Sequence, residues 1–330
     1  MHKIFTVAMI SASFAFNSAS AEAVELLSKR FEMIEYTPLK LRLRAGYIPE
    51  KGALKGCVLY LQGLADSIQN HDPYFTALSG AGYRILTFDY MGQGGSEGKM
   101  NDTRVQAQLP PHATSEMKKR HEISTKYQEI PEQAEFVWNH YKDVKNEQGQ
   151  DCNSSKKLVI GWSTGGLAGY RMAHEKRADA VVLLAPGIHP YWMVGESSKN
   201  PLKMIALQQT ITEQTLTRNK FENSPNPHVD PIKPKSPAHS PQFAGNLVGV
   251  ANGSQGWTIP SSVRGLVLLS GFEDTYVDRE ATQDTLRKNA PHFKVQAYDG
   301  ALHELDNELP EVANDVRDQT IKFFDSVTGS

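Results

Sequence analysis

Short runs of mostly apolar residues recur along the chain at 56–61, 83–89, 158–161, 180–184, 266–269 and 294–298. Runs this short, bounded by glycine or polar turns and lacking strict alternation, read as parallel strands buried on both faces. Helical patterns lie between most of them, at about 129–141, 166–176, 279–288 and 310–324, and the sequence between the first two runs is helix-compatible. Strand alternating with helix predicts an α/β chain with an open, mostly parallel central sheet and helices on both faces.

Two intervals break the rhythm. Residues 99–120 are polar, contain Pro110-Pro111 and read as a surface excursion. The interval from about 186 to 260 is far longer than an ordinary strand–helix link. Asn200-Pro201 in it has the form of a helix start, a capping residue followed by a first-turn proline. A proline-rich piece follows, from Pro225 to Pro241. Tyr191, Trp192, Met193, Phe221, Phe243 and Trp257 are too many large apolar groups for a solvated loop. The interval therefore reads as an ordered cap inserted between late strands, and its aromatic residues Trp192 and Phe243 are candidates for contact with a substrate.

Composition narrows the class. The 330 residues carry 35 Lys and Arg against 37 Asp and Glu, a formal charge of −2. That balance lacks the basic surplus a nucleic-acid binder needs to neutralise phosphates. At 39% hydrophobic and 22% charged, the chain can bury a large core. The N-terminus stands apart. Lys3 is followed by an apolar stretch at 4–16, too short to span a bilayer, and then by Ala19-Ser20-Ala21. This pattern reads as a secretory signal over residues 1–21, with the working domain at 22–330. Its brevity is bacterial in character and makes the periplasm or the exterior the expected destination.

Gly161-Trp162-Ser163-Thr164-Gly165 lies between a strand run and a helical stretch, which is the setting a G-x-S-x-G nucleophile requires. The glycines leave room for a tight strand-to-helix turn, and the helix N-terminus, with the Thr164 N–H, faces developing negative charge. A second match, Gly94-Gly95-Ser96-Glu97-Gly98, sits in a glycine-rich loop with no apolar helix after it, so Ser96 reads as loop structure. A nucleophilic serine also needs a base and an acid that orients the base. Among eleven histidines, His303 stands just after the last strand run. Glu273, Asp274 and Asp278 follow the run at 266–269 and are the candidate acids. Both segments begin at carboxyl ends of strands, where open α/β sheets place their sites. His189, His228 and His239 fall in the insertion without metal-ligand spacing. Gln62-Gly63-Leu64-Ala65-Asp66-Ser67 follows the first run and offers the Leu64 N–H as the second oxyanion donor. Asp66 is an alternative acid that precedes the serine in the chain.

With these residues in place the chain resembles the α/β-hydrolase superfamily, within it the group of monoacylglycerol lipases, lysophospholipases and serine aminopeptidases. Asp89-Tyr90-Met91-Gly92-Gln93-Gly94-Gly95-Ser96-Glu97-Gly98 is similar to a structural loop of that group. Gly271-Phe272-Glu273-Asp274 is similar to its acid segment, which selects Asp274. Tyr298-Asp299-Gly300-Ala301-Leu302-His303 and the Glu308-Leu309-Pro310 that follows resemble its histidine segment. Gln62 and Trp162 depart from the histidines the group often has at those positions. The resemblance implies an α/β-hydrolase fold and a secreted serine hydrolase with Ser163, Asp274 and His303 as catalytic residues and no cofactor or metal. The expected substrates are esters of single-chain acyl lipids, monoacylglycerols or lysophospholipids, with transient contact at a membrane surface and no nucleic acid. A serine aminopeptidase uses the same machinery and would need an acidic cap residue, such as Glu196, Glu213 or Glu222, for the substrate ammonium. A ligand-binding protein on this fold would be expected to have lost one of these residues, and all are filled here. The resemblance also makes the strands at 56–61 and 158–161 parallel neighbours, so Cys57 and Cys152 fall at the same edge and are expected to form a disulfide.

Overall fold

The computed structural model describes residues 31–64, 66–100, 130–190 and 241–330, with short pieces at 115, 124–125 and 216–217. The signal segment at 1–21 and Trp192 lie outside the described residues, as do His228 and His239. Of Phe243 only its place in a helix is described.

The described residues begin with a hairpin that the apolar runs do not reveal. Strand β1 (Phe31–Tyr36) pairs antiparallel with β2 (Leu41–Ile48). Its signal is alternation: Leu41, Leu43 and Ala45 are buried while Arg42 and Arg44 between them are partly exposed. The buried runs then follow as anticipated. Strand β3 (Gly56–Leu61) leads through α1 (Asp72–Gly80) to β4 (Tyr83–Phe88). After α2 (Ile130–Tyr141) come β5 (Lys157–Trp162), α3 (Thr164–His174) and β6 (Ala180–Leu184). Helix α4 (Pro241–Ser254), β7 (Arg264–Leu269), α5 (Arg279–Asn289), β8 (Lys294–Ala297) and α6 (Pro310–Thr328) complete the order.

The eight strands form one sheet in the order β1-β2-β4-β3-β5-β6-β7-β8. Strand β2 meets β4 antiparallel, and the pairings from β4 through β8 are parallel. Every residue of β3, β4 and β6 is buried, as a strand covered on both faces must be. Two apolar clusters fill the two sides of the sheet. Lys99–Met100 pairs with Ser124–Thr125 in a small separate ribbon, and most of the polar excursion lies outside the described residues. In the interval read as a cap, α4 ends ten residues before β7 and a short piece at 216–217 reaches the main domain.

Parallel pairing puts the carboxyl ends of β3, β5, β6, β7 and β8 at one edge. The opposite edge is fastened. Cys57, the second residue of β3, is joined to Cys152, which lies just before β5, with Cα atoms 5.7 Å apart. Beside it Arg84 is fully buried, and its guanidinium donates to both carboxylate oxygens of Glu50 at 2.9 and 3.0 Å and to the Val144 carbonyl. A charge taken out of water this completely is tolerable only when its hydrogen-bonding capacity is met.

Two outcomes are expected from this framework. The bridge spans 95 positions, and closing a loop of that size in the unfolded chain is worth about 4–5 kcal/mol in the chain-entropy model. A Cys57→Ala/Cys152→Ala double variant should melt well below the wild type in calorimetry, and equal melting temperatures would remove the bridge from the stability account. The second concerns Asp72, buried at the start of α1, where burial pushes its carboxyl up to about 6. The unfolded chain releases this proton at lower pH than the folded one, so stability falls as pH rises from about 4 to 6. Asp72→Asn should therefore be more stable than wild type at pH 8, with the advantage gone near pH 4. An advantage that stays constant across that range would contradict the ionisation argument.

Candidate active site

Ser163 sits between β5 and α3 with φ 53° and ψ −114°. That conformation is costly for a residue with a side chain and persists because its surroundings leave no other. A Cβ on Gly161 would come within 2.2 Å of the Gly165 carbonyl, and one on Gly165 within 2.1 Å of the Leu61 carbonyl. Glycine at these two positions is what lets the helix start directly against the end of β3. The Ser163 amide donates to the Leu184 carbonyl, and its own carbonyl accepts from the Leu167 and Gly187 amides. The backbone is held on every side while the hydroxyl projects from the turn.

His303 reaches that hydroxyl. Its Nε2 is 2.8 Å from Ser163 Oγ, and its Nδ1 is 2.8 Å from Asp274 Oδ2. Asp274 follows β7 and is almost fully buried. Its Oδ1 accepts from the Tyr276 and Val277 amides at 2.7 and 3.1 Å, and its Oδ2 also accepts from the Ser270 hydroxyl. Burial alone would raise the Asp274 pKa, but the facing imidazole, the Ser270 hydroxyl and the Tyr276 amide together hold its carboxyl below the usual range. Of the other two candidate acids, Glu273 is exposed and Asp278 caps α5 by accepting from the Ala281 amide at 3.0 Å. The imidazole is also packed: Tyr276 stacks on it with ring centres 4.8 Å apart, and Trp162 donates its indole N–H to the His303 carbonyl at 3.0 Å.

Leu64 lies in the turn after β3, and Thr164 is the first residue of α3. The segments that carry them approach where Gly165 meets Leu61 and Gln62, and Trp162 covers Gly63 so closely that a Cβ there would lie 2.3 Å from its ring. The turn is pinned from behind. Tyr90 donates to the Gln62 carbonyl at 2.6 Å, and Gln93 donates to those of Gly63 and Asp66 at 3.2 and 3.4 Å. Behind these stands Asp89, fully buried, which accepts from the Gly95 and Ile68 amides, Gln62 and Arg44. Ser96 is fully buried, donating to the Asp89 carbonyl and accepting from the Arg44 amide. It is far from any reactive role and serves the loop.

Asp66 does not face His303. It meets His71, and His71 meets Asp306, three residues beyond His303. Nothing in the local sequence marks this grouping. His71, Glu304 and Asp306 have ligand-type atoms within 4.8 Å of one another, but both His71 nitrogens are already committed to carboxylates, so the ring itself supplies the positive charge there. His189, read as cap surface, is partly buried, with its Nε2 2.6 Å from Thr285 Oγ1. The piece at 216–217 does touch the site's support: the Leu216 carbonyl accepts from the Glu304 amide at 2.7 Å, and Thr217 donates to the Asn307 carbonyl at 2.7 Å.

A family model for the serine aminopeptidase, S33, matches residues 52–243, a span that contains Ser163 and stops short of Asp274 and His303. No curated protein sequence matches the chain. Among solved structures, a soluble variant of monoglyceride lipase from Saccharomyces cerevisiae in complex with a substrate analog is 14% identical with a TM-score of 0.64, over 90% of this chain and 94% of that one. A monoacylglycerol lipase from Paleococcus ferrophilus is 17% identical with a TM-score of 0.58, over 86% and 99%. A thermostable carboxyl esterase from Bacillus coagulans, in complex with glycerol, is 12% identical with a TM-score of 0.64, over 91% and 99%. At such identities these likenesses speak to the fold, which is that of the α/β hydrolases. The family match spans more than half of the chain, and the chain belongs to the serine aminopeptidase, S33, family of hydrolases.

Proposed function

We propose that the protein is a serine hydrolase of carboxylic esters, acting through an acyl-enzyme on esters of single-chain acyl lipids. The observation that carries this reading is the position of His303, 2.8 Å from the Ser163 hydroxyl on one nitrogen and 2.8 Å from the Asp274 carboxylate on the other. Ser163 attacks the acyl carbonyl while His303 takes its proton, and His303 then returns the proton to the leaving alcohol. Water repeats the cycle on the acyl-enzyme and releases the acid. Asp274, held ionised by its amide donors, fixes the imidazole tautomer and stabilises the cation that forms. The Leu64 and Thr164 amides are assigned to the oxyanion, for which the pairing of β3 with β5 just before them is the support.

The monoglyceride and monoacylglycerol lipases among the structural neighbours support the acyl-lipid assignment, and the aromatic residues of the cap interval, Trp192 among them, agree with it. The printed name of the matched family favours a second reading, an aminopeptidase with the same nucleophile. A panel of p-nitrophenyl acyl esters beside aminoacyl anilides separates the two. The signal-like segment at 1–21 and the Cys57–Cys152 bridge support a periplasmic or secreted location, because disulfides persist in oxidising compartments.

Ser163→Ala should lower kcat about a millionfold, while Ser96→Ala retains turnover and loses some thermal stability. The reverse pattern would transfer the nucleophile to Ser96. A second outcome concerns pH. A base must be unprotonated to act, and Asp274 stays ionised through the neutral range, so kcat/KM should rise as pH increases from the acid side. A profile without that rise would contradict general-base catalysis at this site.

A further inference from the structure

The turn that carries Leu64 and the turn that carries His303 come from different ends of the chain, and both must be placed to within a fraction of an ångström for acyl transfer. His71 bonds to a carboxylate from each. His71, fully buried ahead of α1, lies with Nε2 2.5 Å from Asp66 Oδ2 and Nδ1 2.6 Å from Asp306 Oδ2. Asp66 is two residues past Leu64, and Asp306 is three past His303. We infer that His71 is a positioning residue for this site, an imidazolium clamp that fixes the oxyanion turn relative to the histidine turn. The inference rests on the serine-hydrolase reading above.

The geometry supplies the charge state. An ionised carboxylate is only an acceptor, so a ring with a carboxylate on each nitrogen must donate from both and is a cation. The groups facing it agree. From the β3 side come Tyr60, its ring 4.8 Å away, and Asp66, which also accepts from the Ser67 amide and from Asn70, both at 2.7 Å. From the histidine turn come Asp306 and Glu304. From α6 comes Arg317, donating to the Asp306 carbonyl at 3.1 Å. On α1 itself are Asp72 and Tyr74, the latter bonded to Thr320. Burial alone would drive His71 toward its neutral form, but Asp66 and Asp306 outweigh it and hold the imidazole well above its ordinary value. Glu304 is pushed the same way, toward its neutral form, by burial and by the charges of Asp66 and Asp306. The clamp also bears directly on the reactive ring. Trp162 lies between the two histidines, its ring centre 5.7 Å from that of His71 and 5.6 Å from that of His303. Asn307 ties the same two turns a second time, donating to the Asn70 carbonyl at 2.9 Å and to Glu304 at 2.6 Å.

The sign of the pH effect follows. A histidine raised above its unfolded pKa contributes fully below that value, and its contribution is lost as pH rises through the folded pKa. Loss of the proton leaves one bare nitrogen facing a carboxylate, so the clamp opens at alkaline pH. Asp306→Asn changes this without changing shape: the amide can donate to His71 Nδ1 while a neutral His71 still donates from Nε2 to Asp66, so both bonds survive without the second ring proton.

The experiment compares kcat, KM and pH profiles on one acyl ester for the wild type, Asp306→Ala, Asp306→Asn and Glu304→Gln, each rate divided by the serine titrated with a fluorophosphonate. Wild-type turnover and its loss in Ser163→Ala test the hydrolase reading separately. Asp306→Ala should lower kcat by tens of fold with little change in KM, the size expected for a site displaced by about an ångström. Asp306→Asn should recover most of that loss and abolish the alkaline fall of kcat, while Glu304→Gln should keep the fall, assigning it to His71. If Asp306→Ala lowers the melting temperature but not kcat per titrated serine, or if wild type and Asp306→Asn share one alkaline profile, the clamp is structural only and the inference is overturned.

Discussion

The site depends on how closely two backbones approach: the first turn of α3 lies against the last residues of β3 with no space for a Cβ at Gly165. Because the helix begins there, Ser163 must take a positive φ to leave β5. Its hydroxyl is thereby brought to His303 Nε2, and the first turn of α3 is set against the residues that lead to Leu64. A larger residue at 165 would push the helix off the strand by more than an ångström and separate everything gathered at that point. The parallel sheet is the means of enforcing this contact. Its strands are buried along both faces, and a densely packed interior transmits displacement instead of absorbing it.

Around that contact the protein holds an unusual concentration of buried charge. Asp274, Asp89, Asp66, Asp306 and His71 are all nearly or fully buried. Each carboxylate is met by amides, hydroxyls, an imidazole or, for Asp89, a guanidinium as well. Removing a donor leaves part of a buried carboxylate unpaired in a low dielectric, which costs more than the net value of the bond it made. The site is therefore rigid for electrostatic reasons as much as for packing reasons. The far edge of the sheet repeats the pattern with Arg84 and Glu50 and adds a covalent tie, leaving both ends of the strands fastened by different means.

How much of this was legible in the sequence varied with the distance over which each signal acts. Buried parallel strands were readable because each is a local apolar run, and Ser163 because its glycines stand within two residues of it. His303 was named from its place after a strand end, which left three candidate acids after the run at 266–269, and only the resemblance of 271–274 to a family segment selected Asp274. The hairpin of β1 and β2 escaped because its message is alternation between Leu and Arg and not an unbroken run. The His71 grouping escaped for a deeper reason: positions 66, 71, 304 and 306 share no motif, and 235 residues separate His71 from Asp306. Asp66 was considered only as a rival acid, a role its chain order argued against, and its actual partner could be found only in three dimensions.

The contact between the piece at 216–217 and the histidine turn bears on how this family can change its substrates. An insertion that leaves and re-enters the sheet between β6 and β7 looks exchangeable, since among the described residues it adds no strand to the eight-stranded sheet. Yet the Glu304 amide donates to the Leu216 carbonyl, and Thr217 donates to the Asn307 carbonyl. Replacing the insertion with an unrelated one would leave that amide without an acceptor, at about 1–3 kcal/mol for a buried group, immediately beside His303. Insertion and histidine turn thus form one structural unit. Grafts that move both together should be tolerated, and exchanges that move the insertion alone should need compensating changes at 304 to 307.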